Sequence, residues 1–172
     1  MKATGLFAGI GGIEFGLHQS GIDAYLLSEI MPEAQSVLKN RYPKAKFSPD
    51  VTTLQRIGSV DILAGGFPCQ DLSIAGNKVG INGERSGLVR EFFRLIEGAK
   101  TKKPRFILIE NVANIISLNK GEALKLITEE IHKLGYNWAY RLVDPRSLGI
   151  PQRRPRFIFV ASNIIHPKNI LF

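Results

Sequence analysis

The chain has 172 residues, 44% hydrophobic and 22% charged, which suits one folded domain and excludes a disordered, collagen-like or coiled-coil polypeptide. No apolar run approaches the ~18 uncharged residues of a membrane span, and the apolar start carries Glu14 and lacks the charged-then-apolar order of a secretory signal, so neither a membrane nor secretion is expected. The net charge of +8 lies wholly in the second half, with 8 basic and 8 acidic residues in 1–86 against 15 and 7 in 87–172; a positive field so localised suits a polyanion such as nucleic acid, the plainer alternative being a solvated basic face.

In chain order, residues 4–8 read as a buried strand, 11–20 as a helix, 24–28 as a second strand, and 32–41 as a helix with Pro32 in its first turn. Residues 60–64 form the next strand and run into Gly65-Gly66. A glycine-rich stretch with Gly76, Gly80, Gly83 and Gly87 follows. Residues 88–99 are helical, 105–110 a strand, and 121–134 a helix ended by Gly135, with two closing strands at 138–143 and 156–161. This alternation predicts an α/β fold, a mostly parallel sheet covered on both faces. Ligands of such sheets sit at the carboxyl ends of the strands. The notable residues all fall there: Gly9 to Gly12, Glu29, Pro68-Cys69-Gln70 and Glu110-Asn111.

Phe7-Ala8-Gly9-Ile10-Gly11-Gly12 lies between a strand and a helix, where glycines permit a tight turn and close approach of a ligand to the main chain. Glu29 follows Gly9 by 20 residues, the spacing of a carboxylate that binds ribose hydroxyls. A dinucleotide fingerprint needs a third glycine at position 14, where Glu14 stands and would repel a pyrophosphate. The loop therefore favours an adenosyl ligand without phosphates, S-adenosylmethionine being the common one. A tight turn without a ligand, and an exposed strand-end carboxylate at Glu29, are the alternatives.

Cys69 is the only cysteine, which excludes an internal disulfide and a multi-cysteine zinc site, and no metal is expected. A cysteine is most often a small buried hydrophobe. Here it stands in a polar, glycine-rich loop after a proline, which argues for exposure in a cleft. It needs a cationic or helix-terminal neighbour to become a thiolate, and Arg154 and Arg156 are candidate cations. His18, His132 and His166 offer no evident Cys-His couple.

Four blocks, Phe7 to Gly12, Gly66-Phe67-Pro68-Cys69-Gln70-Asp71-Leu72-Ser73, Glu110-Asn111-Val112 and Gly149-Ile150-Pro151-Gln152-Arg153-Arg154-Pro155-Arg156, together resemble the ordered signature of the DNA cytosine-5 methyltransferase family. The resemblance covers essentially the whole chain. It implies a Rossmann-like S-adenosylmethionine-dependent methyltransferase fold, mostly parallel with an antiparallel closing strand, and one cofactor-binding and catalytic domain over residues 1–172. It implies methyl transfer to C5 of cytosine in double-stranded DNA, as in restriction-modification systems, in the cytoplasm of a bacterial or phage-type host. Cys69 is then the nucleophile, Glu110 the carboxyl at N3 and Arg154 a neighbour of the cytosine edge. Burial at the end of an apolar strand is expected to favour the protonated form of Glu110. Phe7, Gly9, Ile10 and Gly12 match the contacts to the methionine and adenosine parts, Glu29 the ribose, and Asp50 and Val51 the adenine edge. Ile30, Pro68 and Leu88 complete the cofactor set. Gln70, Ser73, Arg85 and Arg156 carry over as DNA contacts, Arg156 being structural or phosphate-facing. Residues 71–87 match the family's mobile catalytic loop.

The chemistry asks for these groups. Cytosine C5 is a poor nucleophile, and thiolate attack at C6 makes it electron-rich while a protonated carboxyl at N3 takes up the charge. The base must leave the helix to expose a ring face. Departures from the family pattern are Ile30, where an aromatic residue often stacks on adenine, and Gly5, where many members have Asp. The target-recognition domain and the last two blocks have no counterpart, so the sequence is expected to be a split subunit or a truncated chain, with a second polypeptide supplying target recognition. Two other readings stay open: a non-catalytic module that binds cofactor or DNA, against which Cys69, Glu110 and Arg154 argue, and a methyltransferase of transfer RNA, whose Cys-Phe-Thr signature is not in the sequence.

Overall fold

The computed structural model describes residues 1–68 and 87–172. Its strands are β1 Lys2–Leu6, β2 Asp23–Ser28, β3 Lys46–Ser48, β4 Ile62–Gly65, β5 Phe106–Val112, β6 Asn137–Val143 and β7 Arg156–Ser162. The α-helices are α1 Gly12–Gln19, α2 Pro32–Arg41, α3 Gly87–Gly98, α4 Glu122–Lys133 and the short α5 Lys168–Leu171. Strand order in the sheet is β3-β2-β1-β4-β5-β7-β6. The chain divides into two units, Met1–Gly66 with Arg90–Ile107, and Phe67–Val89 with Leu108–Phe172.

In the first unit β1 pairs in parallel with both β2 and β4, and β2 with β3. Leu6, Leu27, Leu38, Leu63, Phe92 and Ile96 form its core. Apolar runs buried on both faces explain why β1 and β4 read as strands without alternation. Helix α2 begins with Pro32, whose missing N–H is no loss at a first turn, carries Glu33 there, and ends with Lys39 and Arg41 against the negative end of the helix dipole. Gly65 is required by close approach: a Cβ there would lie 2.6 Å from the Leu6 carbonyl oxygen.

In the second unit β6 and β7 are antiparallel, registered from Asn137 opposite Ser162 to Val143 opposite Arg156. Trp138, Tyr140, Phe157 and Phe159 stack along this hairpin with ring centroids 5.1–6.4 Å apart. Helix α4 buries Ala123, Ile127 and Ile131, one stripe at four-residue spacing. It stops at Gly135, whose φ of 88° puts it in the left-handed region. The Gly135 N–H donates to the His132 carbonyl and the Tyr136 N–H to that of Ile131, which completes a Schellman cap.

The expected elements are present with ends shifted by a few residues at most. The sequence did not foretell β3, three residues long and only partly buried, or α5. One shift matters for function. Strand β5 runs two residues past Glu110, so Asn111 lies inside the strand, on the buried face with Ile107 and Ile109.

Candidate active site

The first unit contains the loop at the end of β1. Phe7, Gly9 and Gly11 have φ of 55°, 54° and 85°, so the chain turns through three left-handed residues. Phe7 is the costly one, since a side chain in that region is strained by about 1–3 kcal/mol and such strain gathers at functional sites. The turn is tied down on every side. The Ala8 N–H donates to the Ser28 carbonyl at 3.0 Å, the Gly11 N–H to that of Ala8 at 2.8 Å, and the Tyr42 hydroxyl to the Gly11 carbonyl at 3.0 Å. Glu29 is buried, and its carboxylate accepts the Gly9 N–H at 2.7 Å on one oxygen and the Met31 N–H at 2.9 Å on the other. Each oxygen keeps a second lone pair for a ligand hydroxyl.

Two neighbouring segments of the same unit complete the cluster. Ile10 and Ile30 present apolar side chains to the outside, 60% and 69% exposed. Asp50 caps a short 3-10 turn, Val51–Thr53, by accepting the Thr52 N–H at 2.8 Å, and Val51 is buried. Arg94 of α3 donates to the Leu54 carbonyl at 2.8 Å and, over a longer 3.5 Å, to that of Val51. Its Nε is held by Glu91 at 2.7 Å. No motif in the sequence singles out this Glu-Arg pair, although its spacing of three on one helix face is a usable signal. The residues fit an adenosyl group: a Cβ built on Gly9 or Gly12 meets nothing within 4 Å, which leaves backbone open to a ligand.

The second unit contains the strand-end carboxyl. Glu110 Oε1 accepts from Arg156 Nε at 2.8 Å, with the two side chains 33% and 21% exposed. Arg156 opens β7, and the strand fixes its direction. Arg154 precedes the strand and is exposed. Its backbone N–H faces Asp144, whose carboxyl the Arg146 guanidinium, above all, holds below the usual carboxylate range. Glu110 is thus a third exposed and ion-paired, not buried as expected of a carboxyl at the end of an apolar strand, and Arg156 takes the structural place beside it. Asn111, a motif residue to which the sequence alone gives no role, is buried; its Nδ2 donates to the Phe67 carbonyl at 2.9 Å and its Oδ1 accepts the Val112 N–H at 2.9 Å. A buried amide needs such partners, and strand alternation could have placed it inward. Pro68, next to Phe67, is exposed and Leu88 is half-buried. Cys69, Gln70, Ser73 and Arg85, and the loop expected over 71–87 as far as residue 86, lie outside the described residues, while Gly87 opens α3. Among the described residues no group of His, Cys, Asp and Glu could hold a metal ion, and no helix is long and apolar enough to cross a membrane.

A mostly parallel sheet ending in an antiparallel pair, with a glycine turn after β1 and a carboxylate after β2, is a Rossmann-like arrangement of the methyltransferase type of fold. A solved structure with this fold is the S. pombe Dnmt2 methyltransferase, matched with a TM-score of 0.78 at 23% identity over 96% of this chain and 52% of that one. The pattern of the C-5 cytosine-specific DNA methylase family matches residues 1–169, and the chain belongs to that family. It is 49% identical over 173 residues to the Type II methyltransferase M2.BsuMI of Bacillus subtilis (strain 168), covering 100% of this chain and 44% of the relative. It is 32% identical over 177 residues to M.Bsp6I of Bacillus sp. (strain RFL6), covering 100% and 56%. The chain thus spans about half the length of these curated relatives.

Proposed function

We propose that this chain is the cofactor-binding and catalytic part of an enzyme that methylates C5 of cytosine in double-stranded DNA, as part of a modification system. S-adenosylmethionine, when bound, supplies the methyl group from its sulfonium. Phe7, Gly9, Ile10 and Gly12 hold its methionine and adenosyl parts, Glu29 the ribose hydroxyls, and Ile30, Asp50 and Val51 the adenine; Pro68 and Leu88 complete the set. Cys69 attacks C6 of the extruded base as a thiolate, forming a C6–S bond. Glu110 shares a proton with N3, which takes up the charge pushed into the ring. C5 accepts the methyl group, then loses its proton to a base, and the C6–S bond breaks to restore the ring and the thiolate.

The observation that carries this reading is the pair of contacts at the end of β5. Asn111 holds the Phe67 carbonyl, two residues before Cys69, while Arg156 clasps the adjacent Glu110. One strand end therefore orients the carboxyl and anchors the start of the cysteine segment. Arg156 is assigned to steady Glu110 beside the base, Arg154 to the cytosine edge near the thiol, and Gln70, Ser73 and Arg85 to the DNA. Basic residues of the second half neutralise phosphates, so binding weakens with salt.

Replacing Cys69 tests the reading. Cys69→Ser abolishes methyl transfer and leaves cofactor affinity unchanged. The transfer assay includes the further sequence present in the longer relatives, joined to the chain or as a second polypeptide. Loss of cofactor binding together with transfer, in a folded variant, contradicts the separation of roles. Transfer to RNA and none to duplex DNA would assign a different substrate.

A further inference from the structure

Glu14 has no place in the chemistry above, yet it is the most unusual side chain of the first unit. It is a glutamate in the first turn of α1 and only 3% exposed. Neither carboxylate oxygen has a hydrogen-bond partner in another residue, and no cationic side chain pairs with it among the described residues. Its carboxyl occupies a definite niche. A Cβ on Gly5 would overlap Glu14 Oε1 and lie 2.9 Å from Cδ, so the carboxyl stands where a side chain of residue 5 would be. Gly5 is on β1, two residues before the Phe7 to Gly12 turn, and Glu14 is two residues beyond it.

An orphaned buried carboxyl is costly and is retained where something offsets the cost. We propose that Glu14 is the anionic element of the cofactor end, delivered from α1 into the niche that Gly5 leaves open, where it favours S-adenosylmethionine, with its cationic sulfonium, over S-adenosylhomocysteine, whose sulfur is uncharged. The inference rests on the adenosyl-cofactor reading given above. The two ligands differ by one methyl group and one positive charge. A carboxylate in a low-dielectric surrounding, with no counter-ion of its own, acts on that charge far more strongly than one in water. Methyl transfer removes the charge, so the same carboxylate that draws in the substrate has no hold on the product.

The surroundings of Glu14 suit this task. The strands against it present Gly5 of β1 and Leu27 of β2. The facing titratable group is Tyr42 at the end of α2, whose pKa is raised by burial first and then by the charge of Glu14; Arg41 lies beside it. Burial pushes the Glu14 carboxyl up to about 7, with its own backbone N–H acting against the shift. The group is thus poised to lose its proton as a cationic ligand arrives.

Calorimetric titration of the 172-residue chain with each ligand separately tests the assignment. Glu14→Gln weakens S-adenosylmethionine about tenfold, the equivalent of one pKa unit of interaction, and changes S-adenosylhomocysteine by less than about twofold. A structural role weakens both alike, and that result, or no change in either, overturns the proposal. A second measurement needs no variant: the preference of the unmodified chain for the charged ligand rises between pH 6 and pH 8, and a constant preference also overturns it. If the unmodified chain binds neither ligand, the adenosyl-cofactor reading fails and the inference falls with it. Binding of both ligands with no role for Glu14 leaves that reading standing and removes the inference alone.

Discussion

Glu14→Gln also has a consequence for stability that requires no ligand, DNA or further polypeptide. The Glu14 carboxyl ionises near its ordinary 4.5 when unfolded and at about 7 when folded. Below about pH 4 both states hold the proton and folding is not penalised. As pH rises, the unfolded chain releases the proton first, so stability falls, and the fall ends once the folded carboxyl has also ionised above pH 7. At about 1.4 kcal/mol per unit, the whole loss is about 3 kcal/mol, of which about 2 kcal/mol falls between pH 5 and pH 8. A glutamine has the same shape and does not titrate. Urea unfolding of both proteins across this range, followed by fluorescence of the single tryptophan, Trp138, gives the difference directly. All other titrations are common to the two proteins and cancel. The variant gains on the parent by about 2 kcal/mol from pH 5 to pH 8. A difference constant to within about 0.5 kcal/mol refutes the claim that this carboxyl is buried without a partner.

Asn111→Ala removes two buried hydrogen bonds, to the Phe67 carbonyl and from the Val112 N–H, and destabilises the fold by about 1–3 kcal/mol. Methyl transfer falls while cofactor affinity holds; unchanged urea midpoint and rate together contradict the anchoring role. Arg94→Ala frees the Leu54 and Val51 carbonyls, and titration shows weaker S-adenosylmethionine binding with an unchanged rate at saturating cofactor. Unaltered affinity refutes the view that this side chain holds the adenine-facing turn.

Much of the fold is legible in the sequence because fully buried parallel strands are bare apolar runs and the helices carry their own punctuation. Pro32 opens α2 and Gly135 closes α4 where local chemistry demands it. Strand β3 escapes such reading: three residues, Lys46–Ser48, hold too few apolar side chains to make a pattern, and only pairing with β2 makes them a strand. The turn after β1 is legible through its glycines, yet the strain at Phe7 is not, since nothing in a phenylalanine announces a left-handed backbone. Arg154 and Arg156 are indistinguishable as letters. The start of β7 separates them, giving Arg156 a fixed direction toward Glu110 on β5. From the sequence Glu14 is a charge that repels a ligand's phosphates, whereas its carboxyl turns inward against Gly5. A glycine inside a strand signals close approach, but the partner that approaches is set by packing.

The central claim is that Cys69 bonds to C6 of cytosine. Duplex DNA carrying 5-fluorocytosine in the target site tests it most directly, because fluorine at C5 cannot leave as a proton does and the C6–S bond persists after methyl transfer. With the catalytic chain in its active form and S-adenosylmethionine present, mass spectrometry of the digested complex finds the modified base on the peptide that contains Cys69, and Cys69→Ser yields no adduct. Methyl transfer to ordinary cytosine with no adduct on the fluorinated DNA, or an adduct on another residue, contradicts the account.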